Sequence, residues 1–274
     1  MERTGKLNSA SSVYLKWLSI VDTSAMLWDG LVAKAMPYYF NFFVRNINQT
    51  ACRLEMFHSH SSTRVASLVL ALFTMDRAYA ITFPFHYKQH GSKKKVANLA
   101  CILSYVVCCL VASPLLAILK LSNNRCSFDA NIPMIYLELF KFISTPILLL
   151  IFPTVVVGIS NILVIRGLRN RRKKWAQNSE SQTQEEKAEI SITRCIIVAS
   201  IFYVICASLT TAANYLTLNE DKEGNAAIVA AQKALLNTLG EGAGVMNGSS
   251  NFYLYILSSP MFKRAFSRMI TFKK

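Results

Sequence analysis

Three polar side chains with complementary chemistry lie in otherwise apolar stretches of the chain. Asp22 is an acid, and Asn247 and Asn251, four residues apart and therefore on one face of a helix, carry amides. An aspartate at the centre of a membrane helix costs roughly 2.5–3.5 kcal/mol to insert. We therefore predict that Asp22 faces an internal, water-filled cavity with the two asparagines as its partners. We interpret Asp29, nearer to the outer end of the same stretch, as an acid that reaches out to the interface.

A second group of polar residues lies in the outer halves of the apolar stretches and includes two histidines that flank Ser59. Such a group predicts the floor and walls of a pocket that opens to the outside. Each histidine could equally be a hydrogen-bonding residue between helices. The candidate pocket residues are His58, Ser59, His60, Thr63, Arg64, Glu138, Lys141, Asn214 and Glu241.

Long apolar stretches must position these side chains. The chain is 53% hydrophobic and only 16% charged. Several stretches exceed the roughly 20 residues that cross a bilayer as a helix and carry no formal charge. We predict an all-α membrane protein with one domain, residues 1–274, and six membrane helices. Their approximate bounds are 12–34, 52–81, 96–119, 136–166, 188–218 and 234–257.

The distribution of basic residues sets the orientation. The chain has 30 Lys and Arg against 15 Asp and Glu, a net charge of +15. With a cytoplasmic N-terminus, the basic residues concentrate on the inner side, as the positive-inside rule expects. The charge therefore requires no nucleic acid as a partner. We predict a multi-pass plasma-membrane protein that is surrounded by lipid and has a cytoplasmic C-terminus. The inner basic segments are 1–6, 88–95, 166–174 and 263–274.

Two features of the predicted outer side agree with this orientation. The sequence Asn48-Gln49-Thr50 is an acceptor for N-glycosylation at Asn48, between the first two predicted helices. Cys52 and Cys126 lie on the same side, in a compartment that permits disulfides. We predict a bridge between these two cysteines, and the alternative is two free thiols.

Two sequence motifs resemble those of rhodopsin-like (class A) G-protein-coupled receptors. Residues 74–81 read Thr-Met-Asp-Arg-Ala-Tyr-Ala-Ile and are similar to the family's Asp-Arg-Tyr motif, at a matching distance from Cys52. Residues 247–255 read Asn-Gly-Ser-Ser-Asn-Phe-Tyr-Leu-Tyr and resemble its Asn-Pro-x-x-Tyr helix. The Asn-Phe variant of this motif is common among invertebrate neuropeptide receptors of the FMRFamide-receptor kind.

The resemblance implies a seven-helix bundle of which this chain carries helices two to seven only. Residues 6–15 look like the first inner loop as it enters helix two, with Asp22 as that helix's aspartate. The family's first helix is then missing. The tail, residues 259–272, is similar to the amphipathic eighth helix, which lies on the membrane surface.

The resemblance also implies roles for individual residues. Asp76 and Arg77 match an ionic lock that Glu189 would close, and opening the lock admits a heterotrimeric G protein. The alternative is that Asp76 and Glu189 are solvated surface charges. Tyr255 matches the helix-seven tyrosine of the same coupling region. The polar pocket that can hold an internal sodium ion and water is matched by Asp22, Asn247 and Asn251.

Several positions depart from the family's pattern. Ala207 and Leu209 replace the tryptophan and proline of helix six, so this helix is expected to lack its usual kink. Ala78 replaces the tyrosine of the Asp-Arg-Tyr motif. Ser59 stands where amine receptors place an aspartate, which argues against an amine as the ligand. A short extracellular peptide is the predicted ligand.

Other functions were weighed against a receptor. The chain carries no catalytic motif and no cysteine or histidine set at metal-binding spacing, so neither an enzyme nor a metal centre is predicted, and no cofactor beyond the sodium ion. A small multi-pass transporter is one alternative, although its helices would usually form matching halves. Another is a truncated, non-signalling fragment that associates with full-length receptors.

Overall fold

The computed structural model shows a bundle of long helices. It describes residues 10–90, 94–122, 125–129, 131–142, 151–178 and 184–218, residues 229–249 except 230, 233, 237, 241 and 244, and residue 267. The predicted amphipathic helix, 259–272, lies outside the described residues apart from Ser267. In the same part of the chain, the last predicted membrane helix, 234–257, is described only in part.

The first apolar stretch forms one helical rod. It begins as α1 (Ala10–Ala25), continues as a π-helical segment (Met26–Ala35) and ends as α2 (Met36–Phe40). Helical dihedral angles at both junctions keep it continuous. Asn41 ends the rod in the left-handed conformation, with φ of 52°, which asparagine tolerates better than most residues. We call this unit the rod 10–40.

The central element is α3 (Gln49–Thr82), a helix of 34 residues. A short 3-10 turn (Val44–Asn46) leads into it. The Asn48 side chain caps the helix by accepting a hydrogen bond of 2.7 Å from the Ala51 backbone N–H, a contact that typically stabilises a helix by about 1 kcal/mol. Asn48 remains exposed to solvent.

The remaining helices pack around α3. They are α4 (Pro84–His90), α5 (Lys94–Ala112), α6 (Leu115–Ile118), α7 (Met134–Phe142), α8 (Phe152–Asn178) and α9 (Gln184–Leu218). The rod 10–40, α5 and α8 contact α3 along its length. The main apolar core lies between the rod 10–40, α3, α5 and α9, where the rings of Tyr14 and Phe73 stack with centroids 5.5 Å apart.

Four helical spans in the described part of the chain are long and apolar enough to cross a membrane. They are Gln49–Thr82, Lys94–Ile118, Phe152–Asn170 and Thr193–Ala212. Each falls within or overlaps one of the predicted membrane helices. The predicted helix 96–119 is divided, because a turn at Ser113 and Pro114 separates α5 from α6. The predicted helix 136–166 corresponds to α7 and α8, and α8 extends to Asn178.

A β-hairpin closes one end of the bundle, and the all-α prediction missed it. Strand β1 (Leu119–Ser122) pairs antiparallel with β2 (Arg125–Phe128). The Gln49 side chain lies against β1, where its Nε2 donates to the Leu119 carbonyl at 2.7 Å and its Oε1 accepts from the Leu121 N–H at 2.8 Å. One side chain thus binds the backbone of the hairpin to the first turn of α3.

The predicted disulfide between Cys52 and Cys126 is present. It joins the first turn of α3 to β2 across a sequence separation of 74 residues. Cys52 is buried in a second apolar cluster, with Leu115, Ile118 and Leu119 from the other side. The bridge therefore fixes the hairpin over one end of the bundle.

We expect the paired substitution Cys52→Ser/Cys126→Ser to destabilise the protein by about 4 kcal/mol, because the unfolded chain regains the freedom of a long loop. The thermal unfolding midpoint of the purified chain in detergent measures this loss. It is determined by size-exclusion chromatography of heated samples. Cys101→Ser/Cys195→Ser, which removes two buried free cysteines, is the control and should cost less. An equal loss in both variants would show that the bridge itself contributes nothing.

Candidate functional site

A cavity of about 420 Å³ lies between the rod 10–40, α3, α9 and residues 240–248. We call it the central cavity. It contains members of both predicted polar groups: Asp22 and Asn247 of the first group, and Ser59, Thr63 and Arg64 of the second. The structure therefore places the predicted sodium pocket and the predicted ligand pocket around one continuous space.

Asp22 is buried, with 7% of its surface exposed, although it sits in an apolar helix. Gly248 allows the last described helical residues to approach it closely. A Cβ atom at Gly248 would lie 3.5 Å from Cγ of Met26 and 4.0 Å from the Asp22 carbonyl oxygen. This close approach brings Asn247 to the same cavity as Asp22.

Asp29 lines the central cavity and does not extend to the interface. One oxygen, Oδ1, is buried and has no hydrogen-bond partner among the residues that the structure describes. The carboxylate lies close to Ser59 of α3, another residue of the cavity wall. Our interpretation of Asp29 as an acid that reaches the interface is therefore wrong, because the rod turns this side chain toward α3.

Arg64 is the largest fully buried side chain in the described residues, with 2% of its surface exposed. Its guanidinium bonds to His60, one turn earlier on the same helix. Nη1 donates to the His60 carbonyl, and Nη2 lies 3.2 Å from the ring nitrogen Nδ1. His60 thus contacts Arg64 within α3, and both residues line the cavity.

His58 faces the rod 10–40 and is not among the cavity residues. Its Nε2 lies 3.2 Å from the Ser24 hydroxyl, and its ring makes an edge contact with Trp28 at 5.1 Å. This placement matches the interhelical hydrogen-bonding interpretation of the residue. Sequence reasoning did not find Arg45 and Glu55, which form an ion pair of 2.7 Å at the same end of α3.

A contact between α3 and α9 also borders the cavity. Tyr203 of α9 is buried and lies close to Ser67 of α3. Both residues line the cavity, as does Ala207, the position where the family's tryptophan is replaced. α9 runs without interruption through Leu209, as expected for a helix six that lacks its proline.

At the opposite end of α3, Arg77 and Asp76 form a buried ion pair. Arg77 Nη2 donates to Asp76 Oδ2 at 2.6 Å, and the two residues expose only 4% and 8% of their surfaces. The alternative interpretation of Asp76 as a solvated surface charge is therefore wrong. Burying a charge pair costs several kcal/mol in desolvation, which good geometry and further hydrogen bonds must offset.

Tyr87 of α4 supplies those further hydrogen bonds. Its hydroxyl accepts from Arg77 Nη2 at 2.9 Å and donates to Asp76 Oδ2 at 3.2 Å. Sequence reasoning missed Tyr87. The sequence signal that could have found it is Pro84, because proline is favoured in the first turn of a helix. Pro84 begins α4 directly after α3, and α4 turns the chain back toward the ion pair.

The structure leaves several predicted site residues outside its described part. The backbone of Glu138, Asn214 and Glu189 lies in α7 and α9, but their side chains are not described. The same holds for Lys141, and residues 241, 251 and 255 are not described at all. Their predicted roles stay predictions.

Comparison with known proteins identifies the family. The family model described as "7 transmembrane receptor (rhodopsin family)" matches residues 1–240, most of the chain. The chain belongs to the rhodopsin family of seven-transmembrane receptors. The family is one of receptors, so the prediction against an enzyme is confirmed, and the apolar helices are those of a multi-pass membrane protein.

A curated relative is consistent with this assignment to the rhodopsin family. Dopamine receptor 3 of Caenorhabditis briggsae is 24% identical over 184 residues, which cover 65% of this chain and 29% of the relative. The chain thus matches less than a third of the length of that relative.

We expect Tyr87→Phe to lower the free energy of unfolding by about 1.5–3 kcal/mol, because the buried ion pair loses a hydrogen-bond partner that is in contact with both of its charges. The thermal midpoint in detergent measures the change. Tyr79→Phe is the matched control: its ring packs beside Tyr87, and the residue is 41% exposed. Equal midpoints for the two variants would contradict the role of the Tyr87 hydroxyl.

Proposed function

We propose that the chain is a plasma-membrane receptor that couples an extracellular ligand, a short peptide, to heterotrimeric G proteins. The observation that carries the proposal is the arrangement along α3. The central cavity borders its first half, and the buried pair of Asp76 and Arg77 lies near its other end. A ligand site and a coupling site on one helix are the parts that a signal-transducing receptor needs.

The orientation of the bundle supports this proposal. The disulfide and the predicted glycosylation site, Asn48, lie at the start of α3, and a disulfide persists in an oxidising compartment. The Asp76–Arg77 end then faces the cytoplasm, on the side of the basic segments. We propose that the C-terminus is on this side as well.

The proposed mechanism is a shift between two helix packings. Tyr87 and Asp76 hold Arg77 in place in the closed form, and Glu189 would add a second acid from α9. A ligand that favours another packing of α9 against α3 would release Arg77 to the G protein. Ser67 of α3 and Tyr203 of α9 lie close together in the cavity wall, and their contact is the proposed route for this coupling.

The peptide assignment rests on the Asn-Phe variant of the last helix and on the mixed charges of the cavity. A small amine is the second candidate ligand. The name of the relative from Caenorhabditis briggsae favours it, and an acid, Asp29, lies beside Ser59 in the cavity. The family match disfavours the transporter alternative.

We also propose an internal sodium site at Asp22. A carboxylate that is buried and lines a cavity with an amide side chain offers the oxygen ligands that hard cations prefer. Asp22 and Asn247 would hold the ion, and Asn251 is the third candidate from the sequence. A bound cation would neutralise the buried charge of Asp22 and favour the packing that retains it.

We expect 150 mM sodium chloride to raise the thermal midpoint of the purified chain by about 2–5 °C relative to an equal concentration of N-methylglucamine chloride, since an ion that binds only the folded protein stabilises it. Asp22→Asn should abolish the difference. Asp129→Asn, an identical change in an outer loop, should keep it. A sodium effect that survives Asp22→Asn would reject this site.

We expect Arg77→Gln to abolish receptor-driven G-protein dissociation in cells while surface expression stays close to that of the unsubstituted chain. Asp76→Asn should raise the ligand-independent signal about fivefold, equivalent to roughly 1 kcal/mol of lost restraint on Arg77. Dissociation of G-protein subunits, measured with and without dopamine or a library of short amidated peptides, provides the readout. An inner-face tag and an outer epitope report surface arrival.

Arg53→Gln is the matched control, because Arg53 lies on the same helix but donates to the Leu119 carbonyl at the opposite end. Coupling that persists in Arg77→Gln would reject the coupling role of Arg77. Absence of any signal together with intracellular retention would favour the alternative of a non-signalling fragment that associates with full-length receptors.

A further inference from the structure

The Asp29 side chain lines the central cavity, and one of its two carboxylate oxygens is unsatisfied. Ser59 lies close to the carboxylate, whereas Oδ1 is buried without a partner in the described residues. A buried carboxylate oxygen without a donor is strongly unfavourable, and such groups in native structures usually mark a site that a ligand, ion or water completes.

Nearby cations do not complete it. Arg45 lies within electrostatic range of Asp29 but is committed to Glu55, at 2.7 Å. Lys34 lies within electrostatic range of Asp29, but in the described residues no hydrogen bond reaches Oδ1. The cavity wall therefore presents an acid with one unsatisfied oxygen.

We propose that Asp29 is the anionic anchor of the central cavity and that its ligand presents a protonated amine or a guanidinium to this carboxylate. This inference rests on the proposed function, since it takes the central cavity as the ligand site. A cationic donor would form a charge-assisted hydrogen bond to this carboxylate. Ser59, which lines the cavity beside Asp29, is a second group that the ligand would meet.

Ser59 carries no charge at the position where amine receptors place an aspartate, but an amine is a candidate ligand in the folded protein. In the folded bundle the rod 10–40 places Asp29 beside Ser59, so the negative charge comes from the neighbouring helix. A small amine and a short basic peptide both satisfy this chemistry.

Arg64 is the opposing group in the cavity and would suit an anionic ligand. Its guanidinium is directed at His60 on its own helix, where Nη1 donates to the carbonyl and Nη2 contacts the ring. Two of its nitrogens are therefore engaged within α3. We therefore infer from the negative charge of Asp29 that the ligand is positively charged.

The test measures the charge preference of the cavity directly. Thr63→Cys places a thiol on the cavity wall one turn from Ser59, in the 274-residue chain in which the cavity residue Cys206 and the half-buried Cys109 are replaced by serine. The labelling rates with a cationic methanethiosulfonate (ethyltrimethylammonium) and its anionic counterpart (ethylsulfonate) are compared in detergent. The ratio of the cationic to the anionic labelling rate is divided by the same ratio for free cysteine. This normalised ratio reports the electrostatic potential at position 63.

We expect the normalised ratio to favour the cationic reagent and Asp29→Asn to reduce it about tenfold, as expected for a charge that acts over a few ångströms in a partly buried site. Asp129→Asn, the matched control in an outer loop, should leave the ratio unchanged. A ratio that Asp29→Asn does not alter would overturn the proposal. So would a preference for the anionic reagent that Arg64→Gln removes.

Protection from labelling identifies the source of the cation. The probes are phenethylamine with neutral 2-phenylethanol, and acetyl-Ala-Arg-Ala-amide with its citrulline counterpart. Protection by a cationic probe alone, lost in Asp29→Asn, supports the proposal and assigns the ligand to the amine or the peptide class. Equal protection by a neutral counterpart, or no protection by either cation, would overturn it.

These measurements are independent of signalling. They use the purified chain without a G protein, so a failure of coupling leaves their outcome intact. Conversely, if the chain signals but its labelling does not depend on Asp29, the proposed function stands and the role of Asp29 as the anchor is rejected.

Discussion

Lipid offers no hydrogen bonds, so an ionisable side chain on a membrane helix must find its partner inside the protein. This constraint applies to ionisable side chains at three heights along α3. Glu55 pairs with Arg45, Arg64 bonds to His60, and Asp76 pairs with Arg77. The helix is thus central to the bundle because its charges can be stable only where other elements surround it.

This constraint explains why both ends of α3 are covered. At one end, the hairpin is fixed by the disulfide and by the bonds of Gln49 to β1. At the other end, α4 returns Tyr87 to the ion pair. A helix can cross a membrane without such a hairpin or a returning helix. Here the hairpin and α4 cover the charged groups at the two ends of α3. The ends of α3 are therefore the places where small changes in packing change the exposure of a charge.

The sequence predicted the features that depend on local pattern. Apolar stretches located the helices. Even 52–81, which carries charged residues such as Arg53, Glu55 and Arg64, corresponds closely to Gln49–Thr82. Compartment chemistry predicted the disulfide. The extension of α8 into the basic run was missed because Arg and Lys are good helix formers in water, and hydropathy stops at the membrane boundary. The hairpin was missed because its strands are four residues long, although the two asparagines at 123–124 are a turn signal.

The features that the sequence did not predict depend on contacts between distant residues. Asp29 and Ser59 meet in the cavity wall although they are 30 positions apart in the chain, and no periodicity reveals which face of the rod meets α3. Tyr87 is an ordinary aromatic residue until α4 folds back over Arg77. Family motifs identified Asp76 and Arg77 because these two residues are adjacent, whereas their third partner is brought in by tertiary structure.

The hydrogen bonds of α9 determine how the cavity and the ion pair can communicate. α9 is continuous over its 35 residues, with no break at Leu209, so it has no hinge at which one half can bend alone. Asn161 donates to Ser200 at 2.7 Å, Thr210 donates to the Gly240 carbonyl at 2.9 Å, and Tyr203 lies close to Ser67. A rigid displacement of α9 must break or exchange these contacts together. Because Ser67 and Tyr203 line the cavity, a group that enters the cavity acts on a contact between α9 and α3.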